Sequence, residues 1–394
     1  MNLTSQQKKT LFTLLFIGSV SSLDKSMMGL TVLAVGQEFN LLPSQTSIIL
    51  SVFYFGYLGI TLPGGYFVDR FGYKKFVVSS LIILVLFSFC FSLPSSLALL
   101  ACARLFVGVG HAGYTNGSPK IINEHFVGKQ RASIQSIVLM ATGIGGVLAY
   151  TVGALLVNTN WRIAYWVMSS LFFVALLLML FFVPEKKKDN QALKDTPNVS
   201  ILDGWKSRNT LVLALGLLFN NLENVALLSW MPSVLKTNFQ MGTKEISLIL
   251  TGNAIVMSLA TAAAGFILRK YFAGKEKNFV FLSCIVTAIG LVVFITSHTL
   301  FLTVMFLYIV TALSMFTFTA FLSLPYQLIP STIIGSAYAV INIGAFIGGI
   351  ISPIIIGNLV TIAGGSFFTG FIVMAIAMIL CGLTPSLLKT EPKM

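Results

Sequence analysis

The sequence predicts an all-α membrane protein: twelve transmembrane helices arranged as two six-helix halves. Composition points there first. Of 394 residues, 56% are hydrophobic and only 9% charged, with a mean hydropathy of +0.91, whereas soluble domains carry about 25% charged residues. Apolar runs of about 20 residues, the length that crosses a bilayer, recur along the whole chain. Lys and Arg, finally, concentrate in alternate loops between these runs.

In chain order the runs place helices at 10–35, 46–67, 76–93, 97–118, 133–157, 162–183, 210–235, 246–268, 279–297, 299–323, 333–358 and 363–386. The first follows MNLTSQQKKT. It is too long for a cleaved signal peptide and has no small-residue cleavage site, so it reads as a membrane helix. Between the sixth and seventh lies the only long polar stretch, Pro184 to Asn209, with Lys186, Lys187, Lys188, Lys194, Lys206 and Arg208. It separates an N-terminal bundle (1–183) and a cytoplasmic linker (184–209) from a C-terminal bundle with a short cytoplasmic tail (210–394).

The basic residues orient this layout. With the N-terminus inside, cytoplasmic segments hold Lys8, Lys9, Arg70, Lys74, Lys75, Lys120, Lys129, Arg131, the linker cluster, Arg269, Lys270, Lys275, Lys277, Lys389 and Lys393, and outer loops only Arg162, Lys236 and Lys244. Such asymmetry places both termini in the cytoplasm, and an odd helix count breaks it. It also accounts for the net charge of +13 without nucleic acid. Cys90, Cys102, Cys284 and Cys381 fall inside apolar runs without paired spacing and read as small buried hydrophobes, neither disulfides nor metal ligands.

Asp24, Lys25, Arg104, His111 and Glu223 sit near the middle of apolar runs. A charge there costs roughly 2.5–3.5 kcal/mol on insertion scales. Their persistence points to a polar cavity that handles something charged, hence to a transporter. No Ser/His/Asp, paired-His metal or phosphate-loop arrangement occurs, which leaves little room for an enzyme or sensor and implies no cofactor. His125 and His298 fall in predicted loops without companion ligands.

The loop after the second helix reads Gly65-Tyr-Phe-Val-Asp69-Arg70-Phe-Gly72-Tyr-Lys-Lys75. A tight turn at Gly72 and an Asp69 carboxylate able to cap a helix N-terminus are its physical content. It resembles the G-x-L-x-D-R-x-G-R-K signature of the major facilitator superfamily. The corresponding loop of the second half, Gly265 to Lys277, carries Arg269 where the acid would stand. Glu124, Arg131 and Pro184-Glu185 match family positions for an acid and an Arg after helix four and a Pro-Glu after helix six; with Arg70 they imply an inner ion-pair gate. Asp24-Lys25, Tyr57 to Gly65, Arg104, Arg131-Ala132 and the helix-eleven run Asn342-Ile-Gly344 to Gly357 are similar to the anion:cation symporter branch, which includes galactonate, hexuronate and sialic acid carriers. Three departures stand out: Lys25 where Arg is usual, Thr61 where Gln is common, and His111 where an acid is frequent. The resemblance implies two pseudo-symmetric six-helix bundles, alternating access and a functional monomer in the cell membrane.

Arg104, Gly108, His111 and Thr115 share one face of helix four, with Gly108 expected to leave open space between the polar groups. Arg104 offers a planar fork for a carboxylate or a structural pair with Asp24. Asp24 and Lys25 diverge by about 100° around helix one, so one plausible arrangement sends Lys25 toward substrate and Asp24 toward Arg104. Asn220, Glu223 and Asn224 form a polar stripe that lines a cavity or bonds neighbouring helices. Tyr57, Trp230, Tyr308 and Asn342 are further lining candidates, Tyr57 and Asn342 because they match family positions. Lys25, Tyr57, Arg104, Asn220 and Asn342 are therefore the expected substrate contacts. For proton coupling the expected order is Asp24, then Glu223, then His111. The expected function is proton-coupled symport of a small organic anion. The alternative is a drug or metabolite exporter, against which the helix-five glycines Thr142-Gly-Ile-Gly-Gly-Val weigh, because they lack a proline.

Overall fold

The computed structural model describes residues 3–94, 96–128, 130–185, 201–272, 274–330 and 333–389. Lys129, Lys186, Lys187, Lys188, Lys194 and Lys393 lie outside the described residues, as do the side chains of Ala132 and Arg269. Among the described residues all regular structure is helical: α1 (Ser5–Glu38), α2 (Pro43–Phe71), α3 (Tyr73–Phe91), α4 (Leu97–His125), α5 (Gln130–Leu148), α6 (Ala154–Phe182), α7 (Ile201–Lys206), α8 (Arg208–Phe239), α9 (Thr243–Tyr271), α10 (Glu276–Thr296), α11 (Leu300–Ser323), α12 (Pro325–Leu328), α13 (Ile334–Ile362) and α14 (Phe368–Leu383).

Eleven helices among the described residues are long and apolar enough to cross a membrane. One of them, Ser133–Phe182, runs 50 residues, about 75 Å at 1.5 Å per residue and enough for two crossings of a roughly 30 Å core. The break expected between helices five and six falls inside this run, at Asn160, where two helices meet across a kink. A π-helical turn at Ala149–Gly153 joins α5 to α6, and Asn160 alone leaves helical geometry (φ −165°, ψ 114°). Two smaller expectations shift. His125 lies in the last turn of α4 rather than in a loop, and the expected linker contains α7.

Local chemistry sets the ends. Thr4 and Gln7 form a capping box on α1: Gln7 N donates to Thr4 Oγ1 (3.2 Å) and Thr4 N to Gln7 Oε1 (3.0 Å), which satisfies two otherwise orphaned donors. Gly72 takes φ +89° between α2 and α3, a conformation glycine adopts without steric cost, so the expected turn is present. The same devices recur later in the chain. Asn40 and Gln240 both take positive φ (50° and 54°). Leu42 N donates to Gln45 Oε1 and Gly242 N to Glu245 Oε2, each at 2.9 Å. Gly274 (φ +75°) stands where Gly72 does. Each pair is about 200 residues apart, the mark of an internal repeat.

The chain forms two compact units. Residues 1–41, 48–196 and 242–251 make the first; 42–47, 197–241 and 252–394 make the second. In the first, α1 packs on α5 and α6, and α3 on α4 and α6. In the second, α8 is central, packed by α13, α14 and α11. A Cβ added at Gly344 would lie 2.0 Å from Ala214 O, and one at Gly348 2.3 Å from Leu218 O. This small-residue pair therefore lets α13 meet the backbone of α8, as its spacing suggests. From Thr299 to Leu388 the sequence contains no Asp, Glu, Lys, Arg or His.

Candidate functional site

The first unit buries an ionic centre between α1 and α4. Arg104 Nη1 donates to both oxygens of Asp24, at 2.9 Å to Oδ2 and 3.1 Å to Oδ1. His111 Nε2 lies 3.0 Å from the same Oδ2. A carboxylate only accepts, so Nε2 carries the hydrogen. All three side chains are 2% exposed or less. The seven-residue step from Arg104 to His111, two helical turns, brings both groups to one carboxylate. Phe53 of α2 closes the centre, its ring centroid 4.7 Å from the guanidinium and 5.1 Å from the imidazole.

The guanidinium fork is not spent on Asp24. A single nitrogen, Nη1, serves both carboxylate oxygens, and Arg104 Nε is buried without a partner. Lys25, next in sequence to Asp24, turns away as expected. Its ammonium lies 5.9 Å from the centroid of the Tyr57 ring and has no hydrogen-bond acceptor among the described residues. The Tyr57 hydroxyl is hydrogen-bonded to Thr115 Oγ1.

Gly108 does not leave open space, contrary to expectation. A Cβ there would lie 2.0 Å from Phe53 O and 3.1 Å from Tyr57 N. The missing side chain instead lets α2 press against α4, which is how Phe53 reaches both Arg104 and His111. Phe53 escaped the sequence reading, because an aromatic residue in an apolar run is indistinguishable from core.

The second unit has its own polar centre, built on α8 and α11. Ser314 Oγ donates to Glu223 Oε2 and accepts from Asn224 Nδ2 (2.8 Å) and Asn220 Nδ2 (3.2 Å). Glu223 and Asn220 are fully buried, and Glu223 Oε1 has no partner. The polar stripe thus bonds to a neighbouring helix, one of its two expected roles. Ser314 was missed; its signal was the three-residue spacing of Thr311, Ser314 and Thr317 in an otherwise apolar run. Nearby, Thr311 Oγ1 donates to Asn253 Oδ1 at 2.8 Å. Asn342 is exposed on α13 and donates to Tyr338 O at 3.0 Å. Trp230 is buried against Phe367, with ring centroids 6.0 Å apart.

At the signature loop, Lys120 Nζ donates to Asp69 Oδ1 at 3.0 Å. The carboxylate meets an ammonium rather than a helix N-terminus, which corrects the expected cap. Arg70 Nη1 donates to Tyr66 Oη at 2.6 Å, its guanidinium 5.6 Å from the Phe71 ring centroid. Arg131 Nε donates to Phe126 O at 2.8 Å, and Arg131 lines a cavity of about 290 Å³ with Pro119, Ile122, Asn123 and Gln135. Glu185 Oε1 lies 3.7 Å from where a Cβ on Gly72 would stand. Gly65 faces open space. His125 Nε2 lies 3.0 Å from Tyr73 Oη.

A family model described as Major Facilitator Superfamily matches residues 14–353, and again 213–393. The chain belongs to the Major Facilitator Superfamily. It is therefore a multi-pass membrane transporter rather than an enzyme. The chain is similar to the cis,cis-muconate transport protein of Acinetobacter baylyi, 27% identical over 388 residues that cover 94% of this chain and 92% of that protein. The hexuronate transporter of Bacillus subtilis is 24% identical over 275 residues, 67% of this chain and 65% of that one. In fold, the chain is similar to the crystal structure of a bacterial homolog of the human lysosomal transporter Spinster. That match has a TM-score of 0.82 at 14% identity over 98% of this chain and 96% of that one.

Proposed function

We propose that the protein is a secondary transporter of a small organic anion, a carboxylate or sugar acid, moved together with protons by alternating access. One observation carries the reading: the first unit's centre holds two cations, Arg104 and Lys25, against one acid, Asp24. Among the described residues Lys25 has no acceptor and Arg104 Nε no partner. A bound carboxylate supplies the missing negative charge, and Arg104's unused edge presents donors in a planar array suited to it. That muconate and hexuronate are organic acids supports the same reading. Tyr57, Asn220 and Asn342 are the further proposed substrate contacts, and Asp24, His111 and Glu223 the groups able to exchange protons. In this reading residues 1–183 and 210–394 are the two bundles joined by the 184–209 linker. Both termini face the cytoplasm, and Gly65, Asp69, Arg70, Gly72, Glu124, Arg131 and Glu185 belong to the inner gate.

Purified protein in proteoliposomes tests the proposal. Labelled organic acids should accumulate when the lumen is made alkaline relative to the outside. Uptake indifferent to the proton gradient removes the coupling, and accumulation only under the opposite gradient supports the exporter instead. A thermal-shift screen of organic acids identifies the substrate, because a ligand at a hundred times its Kd stabilises the protein by about 2.7 kcal/mol.

A further inference from the structure

We propose that Glu223 holds the coupling proton as a neutral carboxylic acid, and that Asp24 is the fixed counter-charge of Arg104. This rests on the symport reading above and reverses the order that the sequence suggests. Asp24 is engaged by two donor groups, one a permanent cation. Protonating it would strip the buried guanidinium of the one carboxylate it pairs with among the described residues. Glu223 has the opposite surroundings. Its one partner is the Ser314 hydroxyl, its Oε1 is buried and unpartnered, and among the described residues no cation pairs with it. A buried carboxylate without a cation is far more costly than the neutral acid.

The helices packed on α8 supply no cation either. α11 presents Ser314; its Tyr308 lies against Gly252 of α9. α13 presents the Ser352 hydroxyl, which donates to Leu222 O at 2.6 Å, while its Tyr338 donates to Leu322 O and sets its ring at a tilt to that of Tyr326 of α12, centroids 5.5 Å apart. α14 presents the Cys381 thiol, which donates to Gly216 O at 3.3 Å; Cys284 of α10 packs behind it against Gly382. The other charges of α8 are distant along its axis: Arg208 opens the helix, with the Lys206–Asp203 pair of α7 beyond it, and Lys236 is in the last turn, so each lies roughly 20 Å or more from Glu223 at 1.5 Å per residue.

The step balances with water alone. Release breaks the carboxyl O–H bond, passes the proton to water on one side of the membrane and leaves a carboxylate that Ser314 still supports. Reloading takes a proton from water on the other side and restores the acid.

Infrared spectroscopy of the purified protein in the carbonyl-stretch region of protonated carboxylic acids tests where the proton sits, with no substrate needed. At neutral pH the wild type should show a band that Glu223→Gln abolishes. The double variant Asp24→Asn/Arg104→Gln, which removes both buried charges together, should keep it. Ser314→Ala should shift the band, because Glu223 loses its donor. A band that survives Glu223→Gln, disappears in the double variant, or ignores Ser314→Ala overturns the assignment. In proteoliposomes, Glu223→Gln should lose gradient-driven accumulation, falling to the wild-type level without a gradient, while exchange of labelled for unlabelled substrate continues. Full accumulation by this variant overturns the carriage. A wild type that exchanges but never accumulates under a proton gradient refutes symport itself, and the infrared band then decides separately whether Glu223 holds a proton.

Discussion

The two polar centres occupy corresponding places in a chain that repeats about every 200 residues, yet they have been filled with opposite chemistry. Position 53 is Phe and position 253 Asn; position 111 is His and position 311 Thr. In the first unit the ring of Phe53 packs on His111, and in the second Asn253 accepts a hydrogen bond from Thr311. Asp24 corresponds to Asn224, with Glu223 one residue earlier. The first centre gathers an acid, a guanidinium, an imidazole and a nearby ammonium; the second gathers one acid, two amides and a hydroxyl. One scaffold thus provides a charged site on one side and a nearly uncharged one on the other. A repeat of this kind lets binding and coupling diverge without new helices.

Perturbing the acids should separate the centres most sharply. Asp24→Ala leaves Arg104 buried and unpaired, a loss of about 3–5 kcal/mol for breaking such a pair, read as a lower unfolding midpoint in detergent. Glu223→Gln keeps its bond to Ser314 and should cost less than about 1 kcal/mol. Equal losses in the two variants would erase the contrast. Arg104→Lys comes next. It keeps the charge but loses the planar fork, and at about 1.5–3 kcal/mol per hydrogen bond to a charged group transport should fall roughly 10- to 100-fold in a folded protein. Near-normal uptake would reduce Arg104 to a point charge.

Smaller effects test the packing beneath each centre. Gly108→Ala in the first unit and Gly344→Ala in the second both drive a methyl into a backbone carbonyl 2.0 Å away. Each should lower stability by about 1–3 kcal/mol. If either is neutral in a melt, the close approach it rests on is wrong. The smallest change belongs to the signature loop. Asp69→Asn removes an exposed pair with Lys120 worth about 0.2–1 kcal/mol and should slow transport without changing substrate preference. A changed preference at an unchanged rate would argue against a gating role.

The sequence made the helices legible because bilayer thickness imposes a length that composition records directly. It made the Asp24–Arg104 pairing and the Gly72 turn legible too, the first through the cost of buried charge and the second through a motif. The break inside the run from Ser133 to Phe182 was legible as well: the kink at Asn160 falls between the spans 133–157 and 162–183. The role of Gly108 was misread because a glycine on a polar face is compatible with either a cavity or a touching backbone, and only the position of α2 decides. Ser314 was invisible for a related reason: one hydroxyl matters only when a partner helix brings Glu223 to it.

The uncharged stretch from Thr299 to Leu388 has a consequence for biosynthesis. Insertion machinery reads the orientation of a segment from Lys and Arg in its flanking loops, and α11, α13 and α14 have none between them. These helices must inherit their direction from the basic loop around Arg269 to Lys277 on one side and from Lys389 on the other. The last part of the chain therefore enters the bilayer as a follower: its threading is decided by helices already anchored, and a single lysine introduced between α13 and α14 should have an outsized power to invert it.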